Sequence, residues 1–353
     1  MRQLPVVYGH PEERHRATPG RRSAGGALGR AGGVSQTVAI TGASGFLGAH
    51  LALAFLAAGY TVRAVVRTPS KADWLAERGV EIRQADITEP DQLRAAFAGA
   101  DVVVANAARV VARGGTFSES LRDNLHGADN QISAAADAGV KRVVYVSTMA
   151  VYPSRLRRRT DEGAALRDPD RRPFDIGAWA SSPTYARTKA AAEVQVWERA
   201  SERQIGLTVL RPGPIYGPGA SRLNERYRGW LERRVAVLPT VAFPHVHVAD
   251  CAEAAVRAVQ DQRSVAQAYN LAGPSVSPYV VVGALKRATG RGPRRVPLWV
   301  PTWLALSDRK VESLMGRRLR KVEEHCTDLL ASDVRCPSVP ELYSALQSPL
   351  SPP

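Results

Sequence analysis

Cysteine is scarce in this chain: Cys251, Cys326 and Cys336 are the only three in 353 residues. So small and odd a count excludes a disulfide framework and fits a reducing compartment, so a cytoplasmic location is expected. The spacing of these cysteines beside His325 matches no zinc pattern, and no metal site is expected. Long apolar runs are also missing. No stretch reaches the roughly 18 consecutive apolar residues that a membrane span needs, so no membrane partner is expected. Residues 1–36 contain no apolar block of the kind a secretory leader carries, which argues against secretion. Acid is under-represented, with 33 Asp and Glu against 48 Lys and Arg, a net charge of +15. The excess is nearly all arginine and falls in the N-terminal tail, Arg155–Arg172 and Lys286–Lys321. Aromatic residues do not interleave with it, so no nucleic-acid partner is expected. A solvated basic surface is the first reading. Arginines facing an anionic substrate or a cofactor phosphate are the second.

What is present is an ordinary globular composition, 44% apolar and 23% charged. The length suits one large α/β domain and a smaller lobe. Residues 1–36, rich in Arg, Gly and Pro without apolar periodicity, read as a disordered extension. From Thr37 onward short apolar runs alternate with helical segments. Strands are expected at Val38–Thr41, Thr61–Arg67, Glu81–Ala85, Asp101–Ala105, Arg142–Ser147, Leu207–Arg211 and Ala268–Leu271. Helices are expected from the Gly turn to Ala58, at Lys71–Arg78, Glu89–Ala98, Ser118–Ala138, Pro183–Arg203 and Ala249–Val259. Pro153–Pro183 reads as a loop. This alternation implies an α/β fold with a doubly wound parallel sheet.

Two local patterns carry chemistry. The first is Thr41-Gly42-Ala43-Ser44-Gly45-Phe46-Leu47-Gly48, after a strand and opening a helix. Glycine permits the tight turn and lets backbone approach a pyrophosphate, which the helix N-terminus attracts. Strand two then ends Val65-Val66-Arg67-Thr68-Pro69, with no acid between Tyr60 and Ala72 to accept from a ribose 2′-OH. Arg67, with Lys71 or Arg63, is instead placed to meet a 2′-phosphate. NADP is therefore expected, with NAD as the alternative. The second pattern is Tyr185-Ala186-Arg187-Thr188-Lys189 at the start of a helix, whose i, i+4 spacing puts both side chains on one face. A free phenol ionises near pH 10. A neighbouring ammonium stabilises the phenolate, so Tyr185 can exchange a proton with a substrate hydroxyl or carbonyl. Lys189 can also hold the nicotinamide ribose.

The GxxGxxG spacing, with the ordered motifs behind it, resembles the extended branch of the short-chain dehydrogenase/reductase superfamily, the NAD-dependent epimerase/dehydratase type. The resemblance spans about Thr37–Gly290. It implies a Rossmann-like sheet with a smaller C-terminal substrate-binding lobe. Residues 37–220 and 245–275 would form the first, and 221–244 and 276–353 the second. It further implies that Asp86 and Ile87 contact adenine, and that Asn106 and Ala107 pass the adenine ribose. Thr148, four residues before Tyr152, would polarise the substrate oxygen, with Ser147 as its neighbour and rival. Asn124 would order a water that supports Lys189. Pro212 and Ile215, in Leu210-Arg211-Pro212-Gly213-Pro214-Ile215-Tyr216-Gly217, would lie under the nicotinamide. His245-Val246-His247-Val248-Ala249-Asp250 and Tyr269-Asn270-Leu271-Ala272-Gly273 are similar to later structural elements of that family, which disfavours reading the two histidines as metal ligands.

Departures from the family's branches narrow the chemistry. Thr148-Met149-Ala150 lacks the acid pair of sugar dehydratases. Pro214 stands where nucleotide-sugar enzymes carry an asparagine, whereas the Arg-Pro-Gly-x-Ile-Tyr-Gly-Pro-Gly form resembles the hydroxysteroid-dehydrogenase and dihydroflavonol-reductase-like branches. Reversible hydride transfer between NADP and a secondary alcohol or ketone of a cyclic small molecule is expected. A nucleotide-sugar epimerase is the alternative, and Thr160-Asp161-Glu162 resembles that class. A non-catalytic nucleotide sensor is disfavoured because Thr148, Tyr185 and Lys189 are intact. A lid is expected from Ser221–Pro244 and Gly290–Asp328, lined by Leu298, Trp299, Trp303 and Leu304 unless these are core. A homodimer remains open.

Overall fold

The computed structural model describes residues 36–108, 117–153, 159–168, 183–219, 222–299, 305–306, 308–330 and 339–347. The expected N-terminal extension and the residues Trp303 and Leu304 lie outside this set. Seven strands make one sheet: β1 (Thr37–Thr41), β2 (Thr61–Val66), β3 (Glu81–Gln84), β4 (Val102–Ala105), β5 (Arg142–Val146), β6 (Gly206–Pro212) and β7 (Gln267–Leu271). Their spatial order is β7-β6-β5-β4-β1-β2-β3 and every pairing is parallel. The inner strands, Val-Val-Val-Ala in β4 and Arg-Val-Val-Tyr-Val in β5, are buried along their whole length, as expected of a parallel sheet covered on both faces.

Helices α1 (Phe46–Ala57) and α7 (Val248–Gln260) cover one face. Helices α3 (Pro90–Phe97), α4 (Phe117–Asp137) and α5 (Pro183–Glu202) cover the other. A short helix α2 (Asp73–Ala76) follows a 3-10 turn at Pro69–Lys71 where one helix was expected. Helix α1 is apolar all round, and its residues 48–55 are buried. A helix of that character needs neighbours on several sides. It has the sheet, α7 and the C-terminal turns Pro340–Gln347, where Tyr343 donates to or accepts from His50 at 2.6 Å.

A second cluster lies apart from the sheet. It joins α6 (Arg222–Leu231), α8 (Pro278–Thr289) and the parallel pair Val235–Pro239 with Arg294–Leu298 around Tyr227, Leu238, Val282, Leu285 and Leu329. Leu298 and Trp299 are not core here. They are 48% and 82% exposed at the outer end of this pair. Helix α9 (Arg309–Met315) and residues 339–346 belong to the main core through Val311, Met315, Val339 and Tyr343, although their sequence position assigned them to the smaller lobe. The basic surface also needs revision. Arg317 and Arg320 pair with Asp250, Arg317 also reaches Glu253, and Arg167 is buried and donates to the Tyr152 carbonyl.

The candidate nucleotide site and catalytic cluster

Chain order reverses at β1, since β2 and β3 run to one side of it and β4 to the other. In open α/β sheets that reversal leaves a crevice at the strand C-termini, where ligands bind. The Gly-rich turn fills its floor. Gly42 has φ +66, and Gly48 sits so close to the turn that a Cβ would lie 2.1 Å from the Gly42 carbonyl oxygen. No side chain caps α1 and no acid occupies its first turn, which leaves the helix N-terminus open to an anion. Ser44 and Gly45 are exposed at its mouth, with Phe46 and Leu47 half-buried behind them.

One hydroxyl ties this floor to the next strand. Thr41 Oγ1 accepts from the backbone N–H of Asn106 at 3.0 Å and of Ala107 at 2.9 Å. It donates to the buried Gln131 Oε1 at 2.6 Å, and Gln131 returns a hydrogen bond to the Ala107 carbonyl at 3.2 Å. The Asn106 amide donates to the Thr41 carbonyl, so its side chain holds the fold and its backbone lines the crevice. The sequence reading did not single out Gln131, whose position on α4 gave no chemical signal.

At the far end of the crevice, Asp86 accepts from the Thr88 N–H and hydroxyl. The N–H keeps the carboxyl below its usual range against the effect of partial burial, and the Thr88 hydroxyl and Arg67 charge add to this. Ile87 lies against Gly127 of α4, where a Cβ would come within 2.7 Å of its Cδ1. Arg67 and Lys71 are exposed beside this end. Arg63 is not available for a phosphate. It is 11% exposed, ion-paired to Glu81 at 2.7 Å, and donates to the Ala96 and Ala98 carbonyls. It sits mid-strand, away from the C-terminal edge.

Helix α5 presents Tyr185, Lys189 and Glu193 at successive i, i+4 positions. Strand β5 and its continuation present Tyr145 and Ser147 at i, i+2, and the two stripes meet. Lys189 Nζ donates to the Tyr145 phenol at 2.9 Å and to the Val146 carbonyl at 3.1 Å. Ser147 Oγ donates to Glu193 Oε2 at 2.5 Å. Burial pushes the Lys189 ammonium down to about 8, opposed by the Glu193 carboxylate. Ser147 is therefore committed to the interior and is not a rival to Thr148. Thr148 is half-buried at the strand end, where its hydroxyl accepts from the Ala150 N–H and lies 3.5 Å from the Pro212 carbonyl. Asn124 is buried against α5, with its amide 3.5 Å from the Thr188 hydroxyl, one residue from Lys189. Tyr185 is half-buried in the same neighbourhood.

Glu193 also binds Arg211 through Nε and Nη2, both nearly inaccessible to solvent. Arg211 continues to the Tyr152 phenol and the Glu162 carbonyl, and Tyr152 donates to Asn270 at 2.8 Å. Glu162 Oε1 accepts the Asn270 N–H, so this acid anchors β7. Gly213 faces the Met149 sulfur, which brings the segment with Pro212 and Ile215 over the Thr148 turn. His245 meets the Tyr227 phenol and the Phe243 carbonyl, and His247 meets Asp328 and the Ala249 N–H. Both rings are thereby used in local structure.

The chain is similar in sequence and fold to proteins already known. Over 201 residues the chain is 33% identical to cinnamoyl-CoA reductase 1 of Petunia hybrida, covering 52% of this chain and 55% of that protein. Over 179 residues it is 35% identical to the 4-hydroxy-2-methyl-3-oxo-4-farnesyl-3,4-dihydroquinoline-1-oxide ketoreductase of Stigmatella aurantiaca, covering 50% of each. The chain thus spans about half the length of the curated relatives it matches. The structure of yeast methylglyoxal/isovaleraldehyde reductase complexed with NADPH superimposes with a TM-score of 0.71 at 18% identity, over 86% of this chain and 100% of that one. The family model for the NAD dependent epimerase/dehydratase family matches residues 38–272, from β1 to the end of β7 in the seven-stranded sheet, and the chain belongs to that family.

Proposed function

We propose that this protein is an NAD(P)-dependent oxidoreductase that interconverts a secondary alcohol and a ketone on a cyclic small molecule, with NADP as its cofactor. The observation that carries this reading is the stripe Tyr185–Lys189–Glu193 along α5, whose desolvated Lys189 ammonium is held against β5 one helical turn from Tyr185. The crevice suits a dinucleotide. Gly48 lets α1 start tight against the turn, where a Cβ would collide with the Gly42 and Ala43 backbone, the N-terminus of α1 has no side-chain cap, and Arg67 and Lys71 are exposed cations that support the choice of NADP. When bound, the nicotinamide supplies or accepts the hydride.

The chain's own groups manage the proton. In reduction the Tyr185 phenol gives its proton to the substrate oxygen as that oxygen gains charge, and in oxidation the phenolate takes it back. The Thr148 hydroxyl donates to the same oxygen and orients it. Lys189 holds a cofactor ribose hydroxyl and lowers the cost of the phenolate. The reductase and ketoreductase names of the two relatives support this direction of use. The inward placement of Glu162 and the proline at 214 weaken the nucleotide-sugar alternative. The test is NADPH oxidation against a panel of cyclic ketones by wild type and Tyr185→Phe. The variant is expected to bind NADPH normally and to lose at least about 100-fold in turnover. Full turnover in Tyr185→Phe, or NAD retained through purification and released only on denaturation, would refute it.

A further inference from the structure

Tyr145 has no part in the proposed chemistry so far, yet its phenol binds the Lys189 ammonium directly. It is 2% exposed, accepts from Lys189 Nζ at 2.9 Å, and its ring centroid lies 4.6 Å from that nitrogen. An ammonium has three N–H donors. Tyr145 and the Val146 carbonyl take two of them, which leaves the third for an acceptor outside this pair. The nature of the acceptor matters. A carboxylate at this distance would cancel the ammonium's field, while a phenol that stays neutral anchors it and leaves its charge in force. Burial, with Glu193 and Tyr185 nearby, pushes the Tyr145 phenol far up, so it is neutral at any working pH. Glu193, the carboxylate one turn further along α5, is itself bound by Arg211 and Ser147.

We propose that Tyr145 is the positioning residue for Lys189: its neutral phenol oxygen anchors the ammonium, keeps it protonated within the fold, and leaves one N–H and the positive field for the cofactor ribose and Tyr185. This rests on the assignment of Tyr185 and Lys189 made above and adds a residue that touches neither substrate nor cofactor. Removing the acceptor from a desolvated ammonium disfavours its charged form. Lys189, already pushed down to about 8, then loses its proton within the neutral range, and Tyr185 loses the charge that favours its phenolate.

The experiment needs no substrate. Phenolate formation in the full-length protein is followed by near-ultraviolet absorbance during a pH titration of wild type, Tyr145→Phe and Tyr185→Phe, with thermal unfolding and NADPH titration alongside. Wild type is expected to show one early-ionising tyrosine that Tyr185→Phe removes. Tyr145→Phe should move that step up by roughly one unit or more and weaken NADPH binding several-fold, with a cooperative unfolding transition retained. Tyr145→Met, which fills the same space without a ring, carries the same expectation should the phenylalanine variant fail to fold. A role in packing alone would lower Tm and leave the early step in place, which overturns this inference and spares the assignment of Tyr185. Absence of any early step that depends on Tyr185 overturns that assignment, and this inference with it.

Discussion

Gly48→Ala gives a quantitative test of the nucleotide site. The added Cβ would stand 2.1 Å from the Gly42 oxygen, 2.7 Å from the Ala43 Cα and 2.8 Å from the Gly42 carbonyl carbon. All three are backbone atoms, so no rotamer relieves the clash, and the turn must retreat by about 1 Å to restore ordinary contact. Overpacking costs about 1–3 kcal/mol, and a rigid backbone neighbour puts this site near the upper value. At roughly 2–3 °C per kcal/mol for a domain of this size, Tm falls by about 5–9 °C. The retreat also moves the N–H groups that would face a pyrophosphate. Losing one hydrogen bond to a charged group costs about 1.5–3 kcal/mol, so NADPH affinity falls roughly 10–100-fold. Gly45→Ala is the internal control, because its Cβ meets nothing nearer than the Gly42 oxygen at 3.2 Å. Scanning fluorimetry with and without NADPH reads both quantities. Wild-type Tm and affinity in Gly48→Ala, or a larger loss in Gly45→Ala, would refute the reasoning.

Lys189→Met should abolish turnover yet stabilise the fold at pH 7. Below about 8 the folded protein holds a buried ammonium, and between there and the unfolded value near 10.4 the unfolded chain binds more protons, so wild-type stability rises with pH over that window. The variant should gain on the order of 1–3 kcal/mol at pH 7 and lose that slope, as chemical denaturation at several pH values would show. Ser147→Ala should destabilise by about 1–3 kcal/mol while keeping most activity, since it leaves the buried Glu193 one donor short, whereas Thr148→Ala should lose roughly 100-fold in kcat at a smaller stability cost of about 0.5–1 kcal/mol from the lost Ala150 N–H bond. The opposite pattern in paired kinetics and melting curves would exchange their roles. Arg67→Ala should weaken NADPH about tenfold and leave NADH binding unchanged, measured by nucleotide fluorescence titration, and equal effects on the two would show that Arg67 meets no 2′-phosphate.

Much of this was legible in the chain because the strands announce themselves. Runs such as Val102–Ala105 and residues 143–146 are apolar on both faces and bounded by turn or charged residues, which is how a strand buried between helix layers must read. The Gly-rich turn was legible because glycine is needed at φ +66 and at the close approach of Gly48, and the Tyr185–Lys189 pair stood out by its position after that turn and β5. The misreadings have a common cause, which is that residue type does not reveal which way a side chain points. Ser147 and Thr148 are adjacent hydroxyls, and the alternation of β5 alone sends the first into α5 and the second to the strand end. Arg63 and Arg67 differ in the same way, one clamped mid-strand by Glu81 and two carbonyls, the other at the exposed C-terminal edge. Glu193 could have been found, since it extends the Tyr185–Lys189 spacing by one more turn. Its partner Arg211 could not, because the pairing joins a helix and a strand that only folding brings together.

The Thr41 hydroxyl has a meaning beyond geometry. It joins the end of β1 to residues 106 and 107 and to Gln131, groups 65 or more positions away, and the strand between them in space is none at all, because β4 docks directly on β1 past β2 and β3. On the proposed function, a chain that has not made this long-range closure lacks residues 106 and 107 as a wall of its nucleotide crevice. Ligand occupancy therefore draws on the native population alone, and each tenfold excess of free nucleotide over its dissociation constant adds about 1.4 kcal/mol to global stability. In a cell the abundance of this protein would then follow the supply of its nucleotide, with the cofactor acting by mass action on the lifetime of the fold.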